Sequence, residues 1–192
     1  MADKLNLALI QTDIIWEEPA LNLKEYTKII NTITKKNDLV LLPEMFNTGF
    51  SMNTKKTAEE MTGKTVDWMK KTALKHSVSI AGTLTIKERG NTYNRFVWAS
   101  PNKPIEHYDK RHSFSFAGEN KVFKRGDKQV IIKHKGWRVY PQICYDLRFP
   151  VWSRNTMNYD AVIYLANWPE VRINAWDSLL KARAIENLAF SI

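Results

Sequence analysis

Apolar residues recur along this chain with two spacings. Alternating or continuous β-branched runs predict strands, and returns at three and four residues predict helices. LNLALIQT (5–12) reads as a half-buried first strand. Pro19 then opens a helix with Leu21, Leu23, Tyr26, Ile29, Ile30 and Ile33 on one face, ended by KKND. DLVLLPEMF (38–46) is a continuous apolar run, expected of a strand covered on both faces, and it finishes at Pro43-Glu44. A second helix sets Val66, Met69, Ala73 and His76 on one side. VSIAGTLTI and TYNRFVWAS make a hairpin around KERGN, after which IEHYDKRHSF leaves the sheet edge. SFAGENKVFKRG lacks apolar periodicity and reads as a loop. QVIIKHKGWRVYPQICYD is a second hairpin turning at Lys135-Gly136. FPVWSRNTMNY follows it as a helix whose first turn accepts Pro150. YDAVIYLANW is another buried strand, AWDSLLKARAIENLAF a periodic helix with Trp176, Leu179, Leu180, Ala184 and Leu188, and LAFSI the start of a further strand.

Strands alternating with helices predict an α/β domain. No internal repeat and no Pro/Gly/Ser-rich linker divides the 192 residues, so one domain over 1–192 is expected. The first apolar run, between Asp3 and Asp13, reads as a strand rather than a signal peptide, and no run has membrane-spanning length. The single cysteine excludes an intramolecular disulfide and suits a reducing cytoplasm. A formal charge of +9 raises the question of nucleic acid. The lysines are scattered, however, at Lys35, Lys36, Lys55, Lys56, Lys70, Lys71, Lys121 and Lys124, with no stripe interleaved with stacking aromatics. A solvated basic surface is therefore expected, with neither nucleic acid nor membrane as partner.

Candidate chemistry begins at that one cysteine. Cys144 lies at a strand-to-helix turn, where α/β sheets place their sites and where backbone N–H groups can stabilise negative charge. A buried structural thiol is the alternative. Glu44 directly follows a buried strand among Met45, Phe46 and Phe50, a setting in which a carboxylate must be paired or protonated. It is either a proton carrier or a cap for nearby backbone N–H groups. Lys110 alone would read as a surface lysine, and Glu119 as a solvated one in its loop. His107, Asp109 and His112 show no recognised metal-ligand spacing, and no metal or other cofactor is expected. A papain-type enzyme would need a Gly-x-Cys-x-Gly elbow, which is absent.

Three stretches in order, LLPEMFNTGF, HYDKRHSF and ICYDLRFPVWSRN, resemble the glutamate, lysine and cysteine motifs of the nitrilase (carbon–nitrogen hydrolase) superfamily. QTDIIWEEPALN, NRFVWASP, YLANWPEVR and ARAIEN extend the likeness over essentially the whole chain, and within the superfamily it is greatest to the ω-amidases. The resemblance implies an αββα sandwich of two mixed sheets flanked by helices, and a homodimer. It implies hydrolysis of the terminal amide of small ω-amido acids, the 2-oxoglutaramate and 2-oxosuccinamate type, through a Cys144 thioester. Glu44 is then the general base, Lys110 and the backbone N–H of Tyr145 the oxyanion donors, and Glu119 the support for lysine and substrate. A lysine ammonium beside the thiol favours the thiolate. Arg148 is a fork for a substrate carboxylate or a salt bridge within the fold, and Trp168 lines the pocket or packs the core. Other readings are another amidase or carbamoyl hydrolase of the superfamily, and an idle fold acting as a binding module. Family members continue for several strands beyond LAFSI. The second sheet is accordingly expected to be incomplete, with an unpartnered last strand, a broad apolar patch and a weakened dimer.

Overall fold

The computed structural model describes residues 4–32 and 37–192. Ile33, Lys35 and Lys36 of the expected first helix and its end, and Asp3, lie outside the described residues. The elements in order are β1 (Leu7–Leu9), α1 (Pro19–Thr32), β2 (Leu39–Leu41), α2 (Thr54–Thr57), α3 (Lys64–His76), β3 (Ser79–Glu88), β4 (Asn91–Ala99) and β5 (Glu106–Asp109). They continue with α4 (Glu119–Val122), β6 (Ile132–His134), β7 (Trp137–Ile143), a 3₁₀ turn Cys144–Arg148, α5 (Pro150–Ser153), β8 (Ala161–Leu165), α6 (Ile173–Asn187) and β9 (Phe190–Ser191).

Two mixed sheets result, one ordered β1-β2-β3-β4-β5 and the other β6-β7-β8-β9. In the first, β1, β2 and β3 run parallel while β4 and β5 are antiparallel to their neighbours. In the second, β6 is antiparallel to β7, and β8 and β9 run parallel to it. Side chains alternate between faces, so each strand divides its residues between two layers. Leu39 and Leu41 of β2, Phe96 and Trp98 of β4, and Ile163 and Leu165 of β8 meet between the sheets. Val40, Ile80, Leu84 and Val97 face the other way onto Tyr26 and Ile30 of α1 and Val66, Met69 and Ala73 of α3. Tyr140, Val162 and Tyr164 pack under Trp176, Leu179 and Leu180 of α6. The layers are therefore helix, sheet, sheet, helix, the αββα sandwich the resemblance implies.

Both hairpins close on two residues of positive φ, Arg89-Gly90 (47° and 75°) and Lys135-Gly136 (48° and 85°). That turn matches the twist of paired strands, and glycine carries its second position without strain.

Several local expectations change. The strand pairing of LNLALIQT is confined to Leu7–Leu9, and that of DLVLLPEMF to Leu39–Leu41. IEHYDKRHSF does not leave the sheet at once, because Glu106–Asp109 pairs with β4 as the edge strand. FPVWSRNTMNY is one helical turn, Pro150–Ser153, with no helix beyond it. Arg138 donates to the carbonyls of Met157 and Asn158, and Asn155 exchanges hydrogen bonds with Tyr159 across the following bend. Leu188 is not inward but 94% exposed, as the left-handed cap of α6. LAFSI does form a strand, but not an unpartnered one. Its backbone pairs with β8, Ile192 N–H donating to Val162 and Tyr164 N–H donating to Ile192. Apolar side chains are nonetheless exposed there, among them Ile185, Leu188 and Phe190.

Candidate active site

The ends of three strands and one helix start converge on a buried ionic cluster. Glu44 follows β2, Lys110 follows β5, Glu119 opens α4, and Cys144 follows β7. Lys110 is 3% exposed and both glutamates are fully buried, which overturns a surface role for the lysine and a solvated one for Glu119. Lys110 Nζ donates to Glu44 Oε1 at 2.8 Å and to Glu119 Oε2 at 3.0 Å. It also lies over the Phe50 ring, 5.2 Å from its centre. Burying an ammonium is costly, and only close, well-directed carboxylates offset that cost. Burial pulls the Lys110 pKa down, but Glu44 and Glu119 outweigh it and hold the ammonium charged far into the alkaline range. Glu119 goes up: burial dominates, Glu44 adds to it, and Lys110 opposes both.

The chain enters Cys144 from extended backbone and turns sharply, so the cysteine itself has φ 43°. Met45, directly after Glu44, has φ 46°. Left-handed backbone costs a residue with a side chain about 1–2 kcal/mol, so both positions store strain at the site. The elbow is held by Asp146, fully buried, which accepts N–H bonds from Ile143 at 3.1 Å and His112 at 2.9 Å and an O–H bond from Tyr108 at 2.9 Å. One carboxylate thus ties the cysteine turn to the segment carrying Lys110. Glu44 shares a cavity wall with Cys144, whose thiol donates to the Asn167 carbonyl at 4.0 Å. Burial pushes its pKa well above the usual thiol value and Glu44 pushes it further, while Lys110 pulls only partly back. Lys110 thus favours the thiolate, as expected, but burial and Glu44 oppose it.

A small cavity of about 110 Å³ opens over Cys144, lined by Phe50, Phe114, Tyr145, Arg148, Trp168 and Arg172 among others, with Glu44 in its wall. This is well below the ~300–1,000 Å³ of drug-sized ligand sites. A wider groove of about 400 Å³ between the sheet edges includes Asn167 and Trp168 but none of Glu44, Lys110 or Cys144. Trp168 both lines the cavity and packs on Trp176 at 5.1 Å, and the Tyr145 side chain lines the cavity as well. Arg148 makes no internal salt bridge among the described residues. Its guanidinium lies 5.1 Å from the Trp168 ring centre at the cavity.

Three contributors escaped the sequence reading. Asn94 donates through Nδ2 to Glu44 Oε1 at 2.8 Å and to Glu119 Oε1 at 3.1 Å, while Thr83 donates to its Oδ1. Asn167 donates its backbone N–H to Glu44 Oε2 at 3.0 Å and its side-chain amide to the Glu44 carbonyl at 2.7 Å. Arg172 stands at the cavity rim over Phe114. Asn94 shares its strand with Asn91, Thr92 and Arg95, so its polarity gave no distinct signal in the sequence. His112 and Asp109 have other partners: His112 Nδ1 contacts Asp146, and Asp109 accepts from Arg95.

Comparison with known proteins agrees with this geometry. The chain is 40% identical over 186 residues to the protein named omega-amidase YafV of Yersinia enterocolitica, covering 97% of this chain and 72% of that one. It is 33% identical to the 2-oxoglutaramate amidase of Bacillus subtilis, over 97% of this chain and 74% of the other. Among solved structures, XC1258 of Xanthomonas campestris is a CN-hydrolase superfamily protein with an arsenic adduct in its active site. It superposes with a TM-score of 0.93 at 39% identity, covering 96% of this chain and 73% of that one. The carbon–nitrogen hydrolase model matches residues 6–192, nearly everything from before β1 through β9. The buried glutamate, lysine and cysteine therefore sit within a chain that belongs to the carbon–nitrogen hydrolase family.

Proposed function

We propose that this protein hydrolyses the terminal amide of small ω-amido carboxylic acids, of the 2-oxoglutaramate and 2-oxosuccinamate type, to the acid and ammonia. The observation carrying this reading is an ammonium fixed by two buried carboxylates, one of which, Glu44, lines a small cavity together with the strained Cys144. The names borne by the relatives point the same way.

Each group has a task its surroundings suit. Glu44 takes the thiol proton as Sγ attacks the amide carbon, which avoids a standing thiolate in a buried site. Lys110 and the backbone N–H of Tyr145 donate to the oxyanion that forms. The C–N bond then breaks, Glu44 returns the proton to the departing ammonia, and a thioester remains on Cys144. Water attacks that thioester with Glu44 again as base, releasing the acid and restoring the thiol. Glu119 and Asn94 keep Lys110 and Glu44 in register, and Arg148 receives the substrate carboxylate. Nucleophile, base and oxyanion donors are all supplied by the chain, so the hydrolysis balances without a cofactor. The same proposal places the protein in the cytoplasm, where a reducing medium preserves the thiol, and pairs two chains as a homodimer. The described residues contain no helix long and apolar enough to cross a membrane.

The test is ammonia release from a panel of ω-amides and carbamoyl compounds, by the wild type and Cys144→Ala. The ω-amido acids should lead the panel and the variant should be inactive with its fold retained. Near wild-type activity in Cys144→Ala would remove the covalent mechanism, and a preference for carbamoyl compounds would reassign the substrate.

A further inference from the structure

The cavity over Cys144 carries two guanidinium groups on different walls. Arg148 lies over the Trp168 ring at 5.1 Å, and Arg172 over the Phe114 ring at 5.4 Å. Both are exposed at the rim, and among the described residues neither side chain has a hydrogen bond or an ion pair. Arg172 is held in place from behind: it ends the 3₁₀ turn Glu170–Arg172 before α6, and its carbonyl accepts the Trp168 indole N–H at 2.9 Å. The two arginines and their two aromatic supports are thereby linked through one hydrogen bond. A guanidinium resting on an aromatic face is pre-positioned, so fewer rotamers are lost when its N–H fork meets a ligand.

We propose that Arg172 is a second specificity-determining residue, which with Arg148 selects substrates whose end distal to the amide is a 2-oxo acid rather than a bare carboxylate. The inference rests on the amidase reading above. A carboxylate offers two oxygens, which one fork can occupy bidentately. A second fork on another wall needs a further acceptor, and the ketone oxygen beside the carboxylate supplies it. The remaining lining carries no other cationic side chain, so the anionic head has no better partner in the cavity. Small volume favours a short chain between the two ends.

The experiment compares 2-oxoglutaramate, its methyl ester and glutaramate, which lacks the ketone, in the wild type, Arg172→Met and Arg172→Lys. Arg172→Met keeps an apolar stem on Phe114 and removes the charge. Loss of a charge-assisted hydrogen bond should raise KM for 2-oxoglutaramate about 10- to 100-fold, with kcat falling less. The preference for 2-oxoglutaramate over both the ester and glutaramate should shrink by a similar factor, and Arg172→Lys should restore part of it. Equal losses on all three compounds would show that Arg172 only steadies Phe114 and would overturn the proposal. So would an unaltered preference in Arg172→Met. Wild-type protein that released no ammonia from any ω-amide would instead sink the amidase reading, and this inference with it. Failure of Arg172 alone leaves wild-type turnover intact, so the two failures are distinguishable.

Discussion

An ammonium between two carboxylates in a dry site is a demanding arrangement, because every oxygen left without a donor costs about as much as a lost hydrogen bond. Asn94 meets that demand for Glu44 and Glu119 at once. Its own orientation is fixed by Thr83, whose hydroxyl oxygen also accepts the Met45 N–H. Asn94→Ala should therefore cost about 1–3 kcal/mol of stability, since two buried carboxylate oxygens lose a donor. It should also lower kcat more than it raises KM, because Lys110 and Glu44 lose register while the cavity mouth is untouched. Denaturant midpoints and steady-state ammonia release check both. Wild-type kcat in a folded Asn94→Ala would show that the lysine and glutamate align without it. None of these partnerships could be read from Asn94 itself, which in sequence is one polar residue in a strand.

At the scale of elements, the site depends on how closely the segment after β5 approaches the loop after α4. Gly126 N–H donates to the Lys110 carbonyl at 2.9 Å. A Cβ added at Gly126 would stand 2.1 Å from the Asp109 carbonyl oxygen, which is backbone and cannot rotate away. Gly126→Ala should displace the end of β5 and Lys110 with it, lowering both the melting temperature and kcat by amounts that report the same shift. A variant with unchanged melting temperature and rate would show that this approach is slack. The hairpins and the six longer helices and strands of the sandwich were legible because their periods and turn residues are local. The single turn of helix after Cys144 was not, since FPVWSRNTMNY keeps helix-compatible residues while Arg138 and Asn155 bind the bend instead.

Across the whole molecule, the buried thiol and ammonium tie stability to pH. Burial first, then Glu44, raises the Cys144 pKa above its ordinary 9.0, so the folded chain keeps a proton the unfolded chain releases. Lys110 is likewise raised above its ordinary 10.5, its two carboxylates outweighing burial. For a raised group the stabilising contribution is complete below the unfolded pKa and is lost as pH rises through the folded one. Both contributions thus fade on the alkaline side, beginning near pH 9 for the thiol. The melting temperature should fall above about pH 9, and Cys144→Ala should fall less steeply over the first part of that range. Identical slopes for the two proteins would mean the thiol titrates alike folded and unfolded.

By itself the sequence determined an α/β domain of alternating strands and helices, because strand parity and helical period are written in neighbouring residues, while the αββα layering was only implied by the family resemblance. It also displayed Glu44, Lys110 and Cys144 in an order that resembled a known family. Only the tertiary structure decided what those residues do to one another. Glu44 reaches Lys110 across 66 positions, Asn94 across 50 and Asn167 across 123. That Glu119 is buried, that Arg148 and Arg172 share a rim, and that burial opposes ionisation of the thiol are likewise consequences of packing. A side chain's charge state and partners are set by what the folded chain places opposite it, and by how much water is excluded there, neither of which is encoded in its neighbours along the chain.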